Sequence, residues 1–508
     1  MLEQAALRWP STDAVVDGPR RLTYAELLDQ ARRLGTGFTR LGVGKGDRVL
    51  IVLKNRVEHV LAYWALQMIG GVPTPAGFRL AARELQYIHD DCGADVILCE
   101  PATAAAVGEA VGARPVRLVF VGDDGPPGAL PFAELLAAGG AAAESRVGEG
   151  DLSLILYTSG TTGRAKGVPR THKNHVAGAL AHVIQCGYGW LERTLGVMPL
   201  YHTMGIHSLT SMAAVNGCFV CQTDWSAEGA LALIESERLT ALYLIPTLFY
   251  DLVRAPGFTP DRVASVRKLA YAGAPMLAPL TRACVEAFHP DVFVNHYGST
   301  EIYTFSVRPA VGAKPGCAGR PGVHGSLRVV TASLERRVEP DETVAPGEKG
   351  EIIASLESDE AFRGYWKRPD ADARALRSGW YFTGDMGYLD AEGELFVSGR
   401  VDDMIITGGE NVHPVEVEDA LARHPLVRDV AVIGEPDERW GERIVAFVVP
   451  GAATLTAAAL DQHCRECGDL ANFKRPRRIV FVREIPKTAS GKILRRLLRE
   501  GHYTEAHR

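Results

Sequence analysis

Between Tyr157 and Gly167 the chain reads YTSGTTGRAKG, and an apolar run, Leu152 to Leu156, leads into it. Gly160, Gly163 and Gly167 let a backbone turn tightly and approach an anion. Thr158, Ser159, Thr161 and Thr162 offer hydroxyl donors, and Lys166 offers a positive charge. The composition suits a loop wrapped around a polyphosphate. It is not the G-x-x-x-x-G-K-[ST] loop, because the lysine follows Gly163 by three positions. The plain alternative is a surface turn rich in Gly and Ser.

Five further stations follow in order. MPLYHTMG (198–205) sets His202 after a strand-like run, and YAGAP (271–275) is a small-residue loop. HYGSTE (296–301) gathers an aromatic, a glycine, two hydroxyls and an acid at a strand end. Residues 381–418 carry TGD, then GRVDDMII and GGEN, and PKTASGKILRR (486–496) carries Lys492. Each residue has a plain reading when taken alone. Tyr297 would be a core aromatic, Asp385 a turn cap, His202 a satisfied core histidine and Lys492 a solvated charge.

The six stations in this order resemble those of the adenylate-forming enzymes: acyl- and aryl-CoA ligases, adenylation domains and luciferases. The resemblance spans essentially the whole chain. The joint GRVDDMII-x-GGEN-x-HP-x-E-x-E, RWG at 439–441 and FKRP at 473–476 are similar to those of aryl-CoA ligases. The resemblance implies an α/β fold: a large N-terminal domain of layered sheets with a β-rich subdomain, and a small mobile α+β C-terminal domain. It implies attack of a carboxylate on the α-phosphate of ATP, giving an acyl-adenylate and pyrophosphate, then displacement of AMP by a thiol.

The implied roles follow residue by residue. Thr158, Ser159, Gly160, Thr161, Thr162, Gly163 and Lys166 would hold the β- and γ-phosphates. Thr300 would bond the α-phosphate, and Glu301 would help hold Mg²⁺, which prefers hard oxygen. Tyr297 would stack on adenine. Asp385 would take the ribose hydroxyls, with Arg400 reinforcing it. Lys492 would bridge the carboxylate and the phosphate. Ala179, His202, Thr203, Met204, Phe249, Ala272, Ala274, Tyr303 and Thr304 would line a mostly apolar acyl pocket, with His202 moving between half-reactions. Small residues Ala177 to Ala179 would leave room for an acid bulkier than one ring. With no acid placed to hold an ammonium, a hydrophobic monocarboxylic acid is favoured, aromatic or bulky alicyclic.

The acceptor is read as free coenzyme A, with Trp440 and Phe473 as an aromatic surface and Arg475 with Arg79 as phosphate ligands. A carrier-protein thiol is the alternative acceptor, and a one-half-reaction variant is the third reading. Gly408 and Gly409 would let a pantetheine arm pass the backbone. Lys492 and the GGEN loop lie beyond the same joint, so a hinge at Asp402 would present them in turn.

These stations need positioning elements. Alternating apolar runs and helical patterns predict α/β layers with largely parallel sheets. Strands are expected at 49–53, 95–99, 116–121, 194–198, 241–245, 268–272 and 292–296. A capped helix is expected from Thr23 to about Gly42, and another over 57–69. After about residue 325 short strands and Gly-rich turns dominate. The domains are expected at 1–399 and 404–508, joined by 400–403. In the small domain, helices are expected at 414–423 and near 457–467, strands at 429–434, 443–450 and 478–482, and a final basic helix after Gly491. A net charge of −6 gives no general reason to bind nucleic acid or an anionic membrane. Nine scattered cysteines, an odd number, argue for reduced thiols rather than a disulfide framework. A cytoplasmic enzyme is expected; a homodimer stays open.

Overall fold

The structure, a computed structural model, describes residues 1–137, 147–158, 165–276, 278–333, 336–407, 410–467, 470–488 and 491–506. Of the expected site residues, Ser159, Gly160, Thr161, Thr162, Gly163, Gly408 and Gly409 lie outside the described residues, as does the side chain of Asp402.

The chain first builds a five-stranded parallel sheet. Its order is Val72–Pro75, Arg48–Val52, Val96–Cys99, Arg117–Phe120 and Leu130–Pro131. The helix Tyr24–Arg40 packs beside it. Thr23 and Glu26 close its first turn reciprocally, and Tyr24, Leu27, Ala31, Leu34 and Phe38 are buried at helical spacing. The helix Val57–Ile69 is buried on nearly all sides and stops at Gly70, whose φ of 75° continues no helix.

A second sheet of fourteen strands carries the chemistry. Its parallel part runs Val292–Tyr297, Lys268–Tyr271, Ala241–Leu244, Arg193–Gly196 and Cys218–Cys221. Beyond Val292–Tyr297 the sheet turns antiparallel through Ser306–Arg308, Cys317–Pro321, Leu395–Arg400, Trp380–Leu389, Gly350–Ser355 and Leu327–Val330. The β-rich stretch is thus hydrogen-bonded onto the parallel sheet, with Cys317–Pro321 pairing to Leu395–Arg400.

Strand alternation separates two cores on this sheet. Tyr243, Ala270, Val294 and, less buried, Ala272 share one cluster with Met198 and Met204. Leu242, Leu244, Leu269, Tyr271 and Phe293 face the other way, together with Phe249 and Phe288.

After Arg400 the large sheet ends, residues Val401–Asp403 make a single 3₁₀ turn, and a separate sheet begins at Ile405. That sheet holds Ile405–Thr407, Glu410–Val412, Val427–Asp437, Gly441–Pro450 and Arg478–Phe481. Helices Pro414–Ala422 and Ala457–Glu466 cover one face through Val417, Leu421 and Leu460. Phe447 and Val445 fill the other face with Leu498 of the last helix, Arg495–Arg499. That last helix is not a free basic face. Arg495 donates to both oxygens of Glu418 (2.6 and 2.8 Å), and Arg499 pairs with Asp403 at 3.2 Å. All nine cysteines are unbridged, and eight are buried.

Candidate active site

The HYGSTE segment leaves the end of Val292–Tyr297 and folds back on itself. Ser299 N–H donates to the Ile302 carbonyl, Phe305 N–H to the Tyr297 carbonyl, and Ser299 Oγ accepts from the Glu301 N–H at 3.1 Å. The return is so close that a Cβ on Gly298 would lie 1.8 Å from the Tyr303 carbonyl oxygen, so only glycine fits. From below, Arg170 donates to the carbonyls of Thr300 (2.9 Å) and Glu301 (3.1 Å). Arg170 is buried and precedes the helix His172–Gln185. No sequence signal singled it out, because its partners are backbone atoms 130 residues away.

Thr300 Oγ1 accepts from Thr203 Oγ1 at 3.2 Å, which joins this loop to the start of the helix Thr203–Ala214. His202 caps that helix: its Nδ1 accepts from the Met204 N–H at 3.2 Å. Burial pulls its pKa down to about 4, so the ring is neutral with its proton on Nε2.

Glu301 is buried, and its Oε1 accepts from Tyr365 Oη at 2.7 Å. The Lys166 ammonium lies 4.1 Å from the centre of the same Tyr365 ring. Burial lowers the Lys166 pKa and the nearby Glu301 carboxylate opposes this. Lys166 and the acid of HYGSTE therefore meet on the same Tyr365 side chain. Tyr365 escaped the sequence reading, since it lies in a turn with no motif of its own.

Asp385 is held from two sides. Tyr297 Oη donates to its Oδ2 at 2.7 Å and Arg400 Nη1 to its Oδ1 at 2.6 Å. Asp385 and Arg400 are also register partners in the sheet. The Tyr297 ring meets Phe305 edge-on at 5.1 Å. The Arg400 Nε–H is buried with no acceptor among the described residues. An unpaired donor beside a carboxylate is a fitting place for a ligand hydroxyl.

Lys492 comes to this place from the small unit. Its turn closes by Thr488 N–H to the Lys492 carbonyl at 2.8 Å. A Cβ on Gly491 would lie 2.9 Å from Ile245 Cδ1, so the turn rests on the large sheet's loop. Lys492 keeps part of its surface open to solvent while protein crowds its ammonium end; that desolvation and then the Arg400 guanidinium pull its pKa below the usual lysine range, while Asp385 and Asp403 oppose them. The small unit is also tied to the large one by Lys349, which pairs with Glu416. Glu416 pairs with Lys474 as well.

The structure separates some residues that the sequence grouped. Phe249 belongs to the apolar core behind the sheet, 6.2 Å from Phe293 ring to ring, on the face opposite Met204 and Ala272. It does not line the acyl side. Arg475 is buried and occupied by Asp461, with its Nε donating to Asn472 Oδ1 at 2.6 Å. It is not available to a phosphate in this arrangement. Trp440 and Phe473 are exposed, and Arg79 stacks 4.9 Å from Phe78 on the large unit. The space above Ala177 to Ala179 is also filled: a Cβ on Gly178 would lie 2.3 Å from His207 Cε1. Ala179 and Met204 are buried, Ala272 and Ala274 partly so.

Polar groups surround two of the expected pocket residues, Tyr303 and Thr304. Tyr303 Oη lies 2.7 Å from His182 Nδ1 and 3.3 Å from Tyr243 Oη, and its ring stacks on His207 at 3.5 Å. Thr304 Oγ1 accepts from Gln185 Nε2 at 3.4 Å.

A family model described as "AMP-binding enzyme" matches residues 2–366, and one for the "AMP-binding enzyme C-terminal domain" matches residues 416–492. The 4-chlorobenzoate–CoA ligase of Arthrobacter sp is 34% identical over 99% of this chain and 94% of its own length. The feruloyl-CoA synthase of Amycolatopsis sp is 34% identical over 96% of this chain and 95% of its own. Among solved structures, ATP-bound MatB from Rhodopseudomonas palustris superposes with a TM-score of 0.88 at 28% identity, covering 97% of this chain and 96% of that one. Matched by family models over both its large and its small unit, the chain belongs to the AMP-binding enzyme family.

Proposed function

We propose that the protein is an AMP-forming acid–thiol ligase, which joins a carboxylic acid to coenzyme A through an acyl-adenylate. The observation that carries this reading is the Asp385 carboxylate held between Tyr297 Oη and Arg400 Nη1, with the Gly491–Lys492 turn of the small unit seated against Ile245 of the large one. The relatives support it, since they include the 4-chlorobenzoate–CoA ligase and a feruloyl-CoA synthase.

A carboxylate is a weak electrophile, and activation requires two anions to meet. Asp385, oriented by Tyr297 and Arg400, accepts from the ribose hydroxyls. Tyr297, half-buried between Asp385 and Phe305, offers its open face to the adenine. Thr300 Oγ1, fixed by Thr203, bonds the α-phosphate. Lys166 and the glycine-rich loop take the terminal phosphates. Lys492 stands between the acid's carboxylate and the α-phosphate and offsets the charge as the oxygen–phosphorus bond forms. Pyrophosphate leaves. No base is needed, because the nucleophile is already an anion.

Glu301 fits a hard divalent cation: it is a buried carboxylate whose Oε1 is fixed by Tyr365 Oη. Mg²⁺, when bound there, supplies charge neutralisation on the phosphate oxygens.

For the second step the small unit turns about Asp402, within the 3₁₀ turn Val401–Asp403. Lys349 and Glu416 part, Lys492 withdraws, and the Gly408–Gly409 loop approaches. Trp440, Phe473 and Arg79 then bind coenzyme A. Arg477, exposed two positions beyond the occupied Arg475, takes over the phosphate role. The thiol attacks the acyl carbon and AMP departs.

The test supplies ATP, Mg²⁺, coenzyme A and a panel of aromatic and alicyclic acids. Acyl-CoA and AMP in equal amounts are expected. Adenylate without thioester, or thioester only on a carrier protein, would contradict the reading.

A further inference from the structure

The acyl side of the sheet carries more hydrogen-bonding groups than a hydrocarbon needs. On the strand Val292–Tyr297, alternation sends His296 to the same face as Val294, the face shared with Met204 and Ala272, while Tyr297 turns toward Asp385. Around His296 stand His182, Tyr303 and Tyr243, with ring centres at 5.3, 5.4 and 5.9 Å. His207 lies behind Tyr303.

The proton on His296 can be placed. Gln185 Oε1 accepts from the Val323 N–H at 3.2 Å, which turns the Gln185 amide nitrogen toward His296 Nε2 at 3.3 Å. That nitrogen is a donor, so Nε2 accepts and the imidazole proton sits on Nδ1. His296 Nδ1 is buried and has no partner among the described residues. The same holds for His207 Nδ1. A buried donor left unpaired keeps its full desolvation penalty, so a folded protein that keeps one invites an acceptor from outside.

The charge state narrows the acceptor. Burial pulls His296 down to about 3 and His182 and His207 well below the usual range, so all three rings are neutral. A second carboxylate would find no counter-charge on these rings. A metal is also disfavoured, although His182, Cys186 and His296 lie within 4.8 Å of one another. The Gln185 amide already engages His296 Nε2, and Tyr303 Oη engages His182 Nδ1.

We propose that this enzyme selects acids bearing an uncharged hydroxyl or carbonyl oxygen remote from the carboxylate, which accepts from His296 Nδ1–H. The inference rests on the ligase reading above and adds the chemical class of its acid. His296 is the specificity-determining residue, and Gln185 positions it through Nε2.

The experiment compares ATP–pyrophosphate exchange for ring-substituted aryl acids in matched pairs, hydroxyl against methyl and acetyl against isopropyl. The oxygen-bearing member is expected to have a kcat/KM at least about tenfold higher, since a site with a buried unpaired donor rejects the analogue lacking its partner. In His296→Phe and Gln185→Met the preference falls to within about threefold, through KM for the acid rather than for ATP. His296→Asn, whose amide nitrogen replaces Nδ1, retains it. Equal or better use of the methyl and isopropyl acids by the unaltered enzyme would overturn the proposal. So would an undiminished preference in His296→Phe, or one equivalent of transition metal in the purified protein. Exchange with no acid at all would instead sink the ligase reading itself.

Discussion

Asp385 shows how much a single side chain depends on its neighbours. Its carboxylate is aimed by a phenol on one strand and a guanidinium on another, so removing either loosens the grip on a ribose. A hydrogen bond to a charged group is worth about 1.5–3 kcal/mol, so Tyr297→Phe is expected to lower kcat/KM for ATP by roughly 10–100-fold. Steady-state kinetics at saturating acid check this; an unchanged value would place the ribose elsewhere. Lys492 makes a prediction with a sign. Its pKa is lowered, so the ammonium is present at low pH and is lost as pH rises, earlier than for an ordinary lysine. Adenylation should therefore fall on the alkaline side, and Lys492→Arg, which keeps its charge, should remove that limb. Exchange measured from neutral to alkaline pH decides, and a limb that survives in Lys492→Arg contradicts the role. At this scale the sequence singled out residues inside motifs, such as Thr300, Glu301 and Asp385, whose side chains the fold holds through Thr203, Tyr365 and Arg400. It was silent about Arg170 and Tyr365, whose contacts are long-range and made to one carbonyl pair and one carboxylate. It also misjudged Phe249 and Arg475. A phenylalanine near a pocket and an arginine in a basic run look functional until the opposite sheet face and Asp461 are seen.

The elements explain why the motifs have their spacing. HYGSTE works because a strand ends at Tyr297 and its loop returns within van der Waals contact of itself. Gly298→Ala would push a methyl group into the Tyr303 carbonyl. A displacement of about 1 Å at positioned groups costs roughly 100-fold in rate. Adenylation by Gly298→Ala should fall by at least that order, with a lowered melting temperature because the clash is with backbone. A variant with unaltered exchange would show that the tight return is incidental. The strands were legible because parallel strands are continuous apolar runs: 241–245 and 268–272 are seen as Ala241–Leu244 and Lys268–Tyr271. The joining of the β-rich stretch to the same sheet was not legible. Pairing between Cys317–Pro321 and Leu395–Arg400 spans about eighty residues and leaves no local pattern. The polar ring around Tyr303 was missed for a similar reason, since His182, His207 and His296 come from two helices and a strand.

At the scale of the molecule, the Gly491–Lys492 turn of the small unit is seated on the large one at Ile245, and Arg475 is turned into its own domain. The ties between the units include one ion pair, Lys349 with Glu416, and the apolar seat of the Gly491 turn on Ile245. Such a joint can swing at small cost, since a part-exposed ion pair contributes only about 0.2–1 kcal/mol. The short span Val401–Asp403, between the last strand of one sheet and the first of the next, is where the proposed turn would occur. The central claim is that one active site is served by two faces of the small unit in succession. It is tested most directly by Asp402→Pro, with the two half-reactions measured separately: ATP–pyrophosphate exchange, and single-turnover transfer from pre-formed acyl-adenylate to coenzyme A. The account predicts exchange within about threefold of the unaltered enzyme and transfer slowed at least about 100-fold, a barrier rise of roughly 2.7 kcal/mol. Equal loss in both half-reactions, or transfer at the normal rate, would contradict it.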